Sequence, residues 1–274
     1  MRKTKTLLYL LCCIICIGAI IVLKAQQSKK TGYLEHNISV PTLSPTQSEY
    51  INDSTALPED QIYSFLQGPK SWEHAYTWSG AWAEAEMKGN KFGSFGCGLC
   101  AMANIYSTLS TKVCSPVDMY QYAKEVSDYH PSYGAGAIDW TAMQQTLEYC
   151  GFSSTLHNKP EKLKTFIQDA KKARCTLVLV SSYYSDKFWK NTPGHYVLIW
   201  NYNPKEHTVF LTDSGSPERN RSVIPIKYVF TALKESSSYQ YMTIDSYDEQ
   251  ANQWNWDTIT ETWHAPSYFV LEEK

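Results

Sequence analysis

The chain has no surplus of charge of either sign: 25 lysines and arginines stand against 27 aspartates and glutamates, a formal net charge of −2. Nothing in that balance asks for a nucleic acid or an anionic surface as a partner. Internal repeats are absent, which excludes repeat architectures. A second Cys-x-x-Cys pair is also absent. Cys97-Gly98-Leu99-Cys100 therefore stands as half of a zinc site, and no metal or organic cofactor is expected. Long apolar runs are missing except at residues 7–23. Aromatics are plentiful, with 20 tyrosines and 9 tryptophans. Their default place is the core and half-buried sheet faces, with platforms for sugar or peptide as the other use.

Arg2, Lys3 and Lys5 precede the uncharged run 7–23, and Lys24 closes it. Seventeen residues rise about 25 Å as a helix, enough to cross a hydrocarbon core of roughly 30 Å with flanking lysines at the interfaces. The expectation is a single-pass membrane anchor at residues 1–24, with the N-terminus cytoplasmic and the rest extracellular. A cleaved signal peptide, giving a secreted protein, is the competing expectation. Cys12, Cys13 and Cys16 lie within the run rather than at its end, which argues against lipidation. Residues 25–60, rich in Ser, Thr, Pro and Lys without sustained periodicity, read as a stalk. Residues 61–274 read as one globular domain. Its five cysteines are an odd number, leaving at least one free thiol or an intermolecular bridge if the protein is exported.

Helical patterns dominate the front of that domain. A short helix is expected at 81–88, and residues 97–109 place Leu99, Met102, Tyr106 and Leu109 on one stripe. Ser115 precedes Pro116 as a cap for 116–126, and Asp139 caps 140–150, which Gly151 ends. A further helix is expected at 160–173. The period then changes to strands at 176–181, 196–200, 208–212, 223–226 and 239–244, with a short helix at 228–234 and a last strand at 269–271. Residues 201–207 form the loop of a hairpin. The fold class is α+β, helices first and antiparallel sheet later, with a cleft at the junction.

Three positions carry chemistry. Cys97, flanked by Gly96 and Gly98, opens a helix, where unpaired N–H groups and the helix dipole favour a thiolate. The two glycines are expected to leave the approach to the thiol open. His195 follows Gly194 at a strand start, and Asp213 closes the hairpin's second strand. Pairing Trp200 with Thr208 sets His195 opposite Asp213, within cross-strand reach. A carboxylate that orients an imidazole, whose other nitrogen addresses a thiol, is the arrangement of nucleophilic cysteine catalysis. The Cys-x-x-Cys spelling also suits a thiol–disulfide oxidoreductase. Yet residues 88–96 have loop composition where such a protein needs a buried strand, and no Trp precedes Cys97.

Gly96-Cys97-Gly98 opening a helix, Gly194-His195 and Asp213 together resemble the papain-like cysteine peptidases. Phe65-Leu66-Gln67, Ala135-Gly136 and Tyr149-Cys150-Gly151-Phe152 extend the likeness to the bacterial bacteriocin-processing, double-glycine leader peptidases, over residues 62–244. The resemblance implies a papain-like fold with a helical N-terminal lobe bearing the nucleophile helix and an antiparallel sheet in the C-terminal lobe. It implies Cys97 as nucleophile, His195 as general base and acid, and Asp213 as the orienting carboxylate. Gly98-Leu99-Cys100 departs from the family's Gly-Pro or Gly-hydroxyl. No glutamine lies between Gly89 and Gly96, so Gln67 is the candidate oxyanion donor, with the Cys97 N–H as the second.

The expected function is an exported thiol hydrolase acting on peptide or isopeptide bonds, cell-wall peptides among them, by hydrolysis or acyl transfer. The alternatives are a papain-like domain that binds without cleaving, and the oxidoreductase. Nothing in the chain specifies an oligomer. Trp72, Trp78 and Trp82 lie near the expected cleft, with packing as their default role. Trp254, Trp256 and Trp263 are expected to cover the sheet edge. No histidine besides His195 is given a function.

Overall fold

A computed structural model describes residues 56–67, 86–87, 90–181, 188–189 and 192–257. These all belong to one compact unit, Leu43–Lys274. Among the described residues it is α+β. Two short paired strands, β1 (Glu86–Met87) and β2 (Asn90–Lys91), lead into helices α1 (Phe92–Phe95), α2 (Cys97–Leu109), α3 (Pro116–Val126) and α4 (Trp140–Tyr149). Strand β3 (Phe152–His157), helix α5 (Leu163–Lys172) and strands β4 (Cys175–Val180), β5 (His195–Asn203), β6 (Thr208–Thr212) and β7 (Ser222–Pro225) follow. Helix α6 (Ile226–Ala232) and strand β8 (Tyr241–Tyr247) complete the unit. The six longer strands form one antiparallel sheet in the order β3-β8-β4-β5-β6-β7.

The sheet is covered on both faces, which is why β4 reads Cys-Thr-Leu-Val-Leu-Val with every residue buried. Leu177, Leu179, Tyr196, Leu198, Trp200 and Met242 pack with α2, α3 and α4. Val178, Val180, Val197, Ile199 and Leu211 pack with Phe166 of α5 and Val229 of α6. Alternation within each strand thus sorts side chains between two cores. The expectation of a helical lobe beside a sheet lobe is accordingly coarser than the observed layering of helices, sheet and helices.

Local chemistry explains the helix boundaries. Ser115 and Asp118 form a capping box, Ser115 accepting from the Asp118 N–H and Asp118 from the Ser115 N–H. Asp139 accepts from the Ala142 N–H at 2.9 Å, and Gly151 follows α4 with a φ of 84°. Helix α5 starts at Leu163, three residues later than expected, and no side chain caps it. Its apolar stripe holds it to the second core. Helix α2 is buried along all 13 residues rather than on the single stripe expected. Segment 62–67 crosses it, held by bonds from the Phe65 N–H to Asn104 Oδ1 and the Tyr63 N–H to Thr108 Oγ1.

Several expectations need correcting. Glu86 and Met87, expected in a helix, are strand β1, and the rest of that helix, 81–85 and 88, lies outside the described residues. Strand β3 is not among the expected strands. Its Phe-Ser-Ser-Thr-Leu-His is an edge strand with one fully buried residue, so its apolar alternation is faint. Trp254 does not cover a sheet edge; it stacks on Tyr122 of α3, ring centroids 4.4 Å apart, and packs on Tyr106 of α2. Among the described residues no helix is long and apolar enough to cross a membrane, which corrects the expectation of a transmembrane helix or signal anchor. Residues 7–23, where that helix was placed, lie outside them. So do the stalk to residue 55, Trp72, Trp78, Trp82, Trp263 and the strand at 269–271.

Candidate active site

The hairpin β5–β6 sets the site, in a register two residues from the expected one. Trp200 pairs with Phe210 and Leu198 with Thr212, while Asn203 pairs with Thr208. The strand continues past Trp200 through a bulge in which Asn201 has a φ of 49°. Its side chain accepts from the Leu57 N–H and donates to the Leu57 carbonyl, which gives the bulge a structural partner. A slip of two keeps every side chain on its expected face, as a slip of one would not. Asp213 follows the last paired residue of β6 and meets His195 from the loop.

His195 Nε2 lies 2.7 Å from Asp213 Oδ1. The ring also hydrogen-bonds the Cys97 side chain, which leaves Nδ1 as the nitrogen toward the thiol. Cys97, His195 and Asp213 are 9%, 8% and 0% exposed. The three residues singled out for nucleophile, base and orienting carboxylate therefore form one buried chain.

Its electrostatics are internally consistent. Burial pushes the Cys97 thiol up, but the hydrogen bond and charge of His195, with the N–H groups of Tyr196 and Gly98, outweigh burial and leave it below an ordinary thiol. Burial opposes charge on His195, and the Asp213 carboxylate reverses this, holding the imidazole above its usual range. Asp213 would be raised by burial, yet the charges and hydrogen bonds of His195 and Arg219 hold it below the usual carboxylate range. For Cys100, Cys114 and Cys175 burial dominates and pushes each thiol well up, against the smaller opposing effects of Ser107 on Cys114 and Arg174 on Cys175.

The Asp213 carboxylate accepts four hydrogen bonds. Oδ1 takes His195 and the Gly215 N–H at 2.9 Å; Oδ2 takes Trp189 Nε1 and Arg219 Nε, each at 3.0 Å. The Asp213 N–H donates to Asn220 Oδ1, which also accepts from Ser64 Oγ, so the loop closes on segment 62–67. Arg221 extends that closure by donating to the carbonyls of Ile62 and Glu59. Sequence reasoning missed Trp189, Gly215, Arg219 and Asn220. The only local signal was Asp213-Ser-Gly-Ser-Pro-Glu-Arg-Asn220, a turn-rich stretch holding a cation and a carboxamide.

Gln67 lies at the seam. Its N–H donates to the Ser214 carbonyl at 2.7 Å, its Oε1 accepts from Ser214 Oγ at 2.8 Å, and its Nε2 donates to the Gly93 carbonyl at 3.2 Å. It thus joins the residue after Asp213 to the turn before Cys97, with a second amide hydrogen remaining on Nε2. The Cys97 N–H, first in α2, has no acceptor within its own helix.

The glycines beside Cys97 serve packing rather than an open approach, which corrects that expectation. A Cβ on Gly98 would lie 2.7 Å from Ile138 Cγ2 and 3.1 Å from Met143 Sδ; one on Gly96 would enter the Phe92 ring. This closeness lets the start of α2 meet α4 and β5, bringing Cys97 to His195. Gly215 supports the ring itself, since a Cβ there would lie 2.9 Å from His195 Cε1 and 3.0 Å from Nε2. Gly215→Ala is expected to slow alkylation of Cys97 at pH 6 on the order of tenfold by displacing the imidazole. Unchanged labelling kinetics would show that the ring does not depend on this contact.

All five cysteines among the described residues are free thiols, and the residues before Cys97 are the helical turn α1 rather than loop or a strand of the main sheet. A groove of about 460 Å³ is lined by Asn90, Ser94, Phe95 and residues 134–137, and the carbonyl of Phe95 lies 4.0 Å from Cys97 Sγ. No family model and no curated protein matches the chain.

Proposed function

We propose that this protein is a papain-like cysteine hydrolase that cleaves peptide or isopeptide bonds, peptides of the cell wall among them. The observation that carries the reading is the buried chain from the Cys97 thiol through His195 to Asp213, with the thiol held down and the imidazole held up. These opposed displacements favour thiolate and imidazolium together over a broad pH range.

In this reading the Cys97 thiolate attacks the substrate carbonyl carbon, forming a C–S bond. The negative charge passes to the carbonyl oxygen, which the Cys97 N–H and the second Nε2 hydrogen of Gln67 stabilise. As the C–N bond breaks, the proton on His195 Nδ1 goes to the leaving amine. Neutral His195 then takes a proton from water, whose hydroxyl attacks the thioester. The C–S bond breaks, the thiolate–imidazolium pair returns and the acid product leaves. Asp213 keeps the ring oriented throughout. The peptide is assigned to the groove at Phe95 and Gly136, whose wall at residues 134–137 is built from glycine and alanine.

The test is selective alkylation. A lowered thiol is ionised at a pH where ordinary thiols are not, so iodoacetamide at pH 5.5–6 is expected to label Cys97 stoichiometrically ahead of the other cysteines, located by peptide mapping. A peptide and cell-wall fragment library should then yield a substrate whose turnover falls in step with labelling. Equal labelling of all accessible thiols would overturn the reading. Selective labelling without turnover of any fragment would favour a domain that binds peptide without cleaving it.

A further inference from the structure

We propose that Arg219 is a positioning residue of this site: its guanidinium is the permanent countercharge that keeps Asp213 ionised and turned toward His195. The proposal rests on the reading of Cys97, His195 and Asp213 as the reacting group, and adds a fourth member to it.

Geometry carries the assignment. Asp213 is fully buried, and its four donors divide evenly, His195 and the Gly215 N–H on Oδ1, Trp189 and Arg219 on Oδ2. Two of the four bring charge, and only one does so constantly. His195 gives up its proton to the leaving group and regains it from water, so for part of each turnover it is neutral. A buried carboxylate facing a neutral imidazole needs another cation or takes up a proton. Arg219 meets that need, because a guanidinium stays charged at every working pH. With it the site reads thiolate, imidazolium, carboxylate, guanidinium, four alternating charges that sum to zero.

The loop builds Arg219 into place. Its N–H donates to the Ser216 carbonyl at 3.2 Å, and its carbonyl accepts from Ser222 Oγ at 2.6 Å. The guanidinium carbon lies 5.8 Å from the centroid of the Phe188 ring, within cation–π range. Neighbouring Arg221 is committed to the carbonyls of Ile62 and Glu59, so it is no substitute. Among the described residues, the other titratable groups around the site are Cys100 behind Cys97 on α2, Tyr129 and Asp139 toward Cys97 and Tyr196, Glu218 bonded by Ser216, and Lys234 beside Gly194. Of these and Arg219, Arg219 is the one that forms an ion pair with Asp213.

The direction of the effect follows from charge alone. Removing Arg219 lets Asp213 take a proton at higher pH and also withdraws positive potential from the thiolate. Both changes move the acid limb of Cys97 reactivity toward neutrality. In the full-length protein, Arg219→Gln is expected to shift the acid limb of the iodoacetamide rate–pH profile up by about one pH unit. Once a substrate is in hand, kcat should fall about tenfold with KM within twofold. Arg219→Lys restores the charge and should return the limb most of the way.

If Arg219 only packs on Phe188, both variants will lower the plateau and leave the limb where it was, which overturns the proposal. A limb that moves equally in Arg219→Gln and Arg219→Lys overturns it too, since charge would then not be the cause. Failure of the underlying reading looks different: Cys97 in the unaltered protein would show no labelling preference at all.

Discussion

Cys97→Ala is expected to remove turnover altogether, on the order of 10⁴–10⁶-fold, and with it the selective alkylation at pH 5.5–6. Among the described residues no second thiol is held down to attack in its place. Cys100 is one helical turn further along α2, fully buried, with its thiol pushed up by burial and by the charge at Cys97. Cys97→Ser tests the same point more finely, because it nearly keeps the shape of the site. A hydroxyl beside His195 is far less acidic than a thiol, so the resting ion pair is lost and the rate should fall by at least about 10³-fold. Both variants should fold, since the side chain at Cys97 is small and its helix is held by α3, α4 and β5. Turnover, labelling and a thermal melt measured on the same preparations separate the outcomes. A Cys97→Ala protein that melts normally yet retains a tenth of its turnover would remove Cys97 from the chemistry.

What could be read from the chain, and what could not, divides along the reach of the interactions involved. Helix α2 and the caps at Ser115 and Asp139 depend on neighbours within four residues, so periodicity and capping chemistry located them. The hairpin was visible, but its register was not. The bulge at Asn201 depends on Leu57, 144 residues away, which occupies the side chain that a simple turn would have left free. The His195–Asp213 pairing survived this error because a two-residue slip conserves the face of each side chain. Strand β3 is an edge strand whose buried partner is β8, nearly ninety residues later, and its own polar pattern hides it.

The donors around Asp213 were illegible for a related reason. Trp189 and Arg219 reach Oδ2 from loops, where no period relates sequence position to direction. Gly96 and Gly98 show the converse. A glycine pair beside a cysteine suggested open space, and only the packing of Phe92, Ile138 and Met143 reveals that the space is filled.

Asp213 offers the second large effect, and it separates catalysis from stability. Asp213→Ala removes the acceptor for four donors, one of them the Arg219 charge, and should destabilise the fold by about 3–5 kcal/mol, the range for breaking a buried ion pair. Asp213→Asn keeps the shape but cannot satisfy the same four donors. If its Oδ1 faces His195 and the Gly215 N–H, its NH₂ meets Trp189 Nε1 and Arg219 Nε, donor against donor. If it turns round, His195 loses its acceptor. Either orientation leaves Arg219 without an anion, so a loss of about 1–3 kcal/mol is expected together with a fall in kcat/KM on the order of 10²–10⁴-fold. The double variant Asp213→Asn with Arg219→Gln decides between these contributions. Withdrawing the orphaned cation should recover part of the stability, measured by urea unfolding, because the two residues touch and their effects are not additive. Catalysis should not recover, since His195 still faces a neutral group that cannot hold its charge. Recovery of both would mean that Asp213 serves only to pair with Arg219, and that His195 reaches the Cys97 thiol without a carboxylate to orient it.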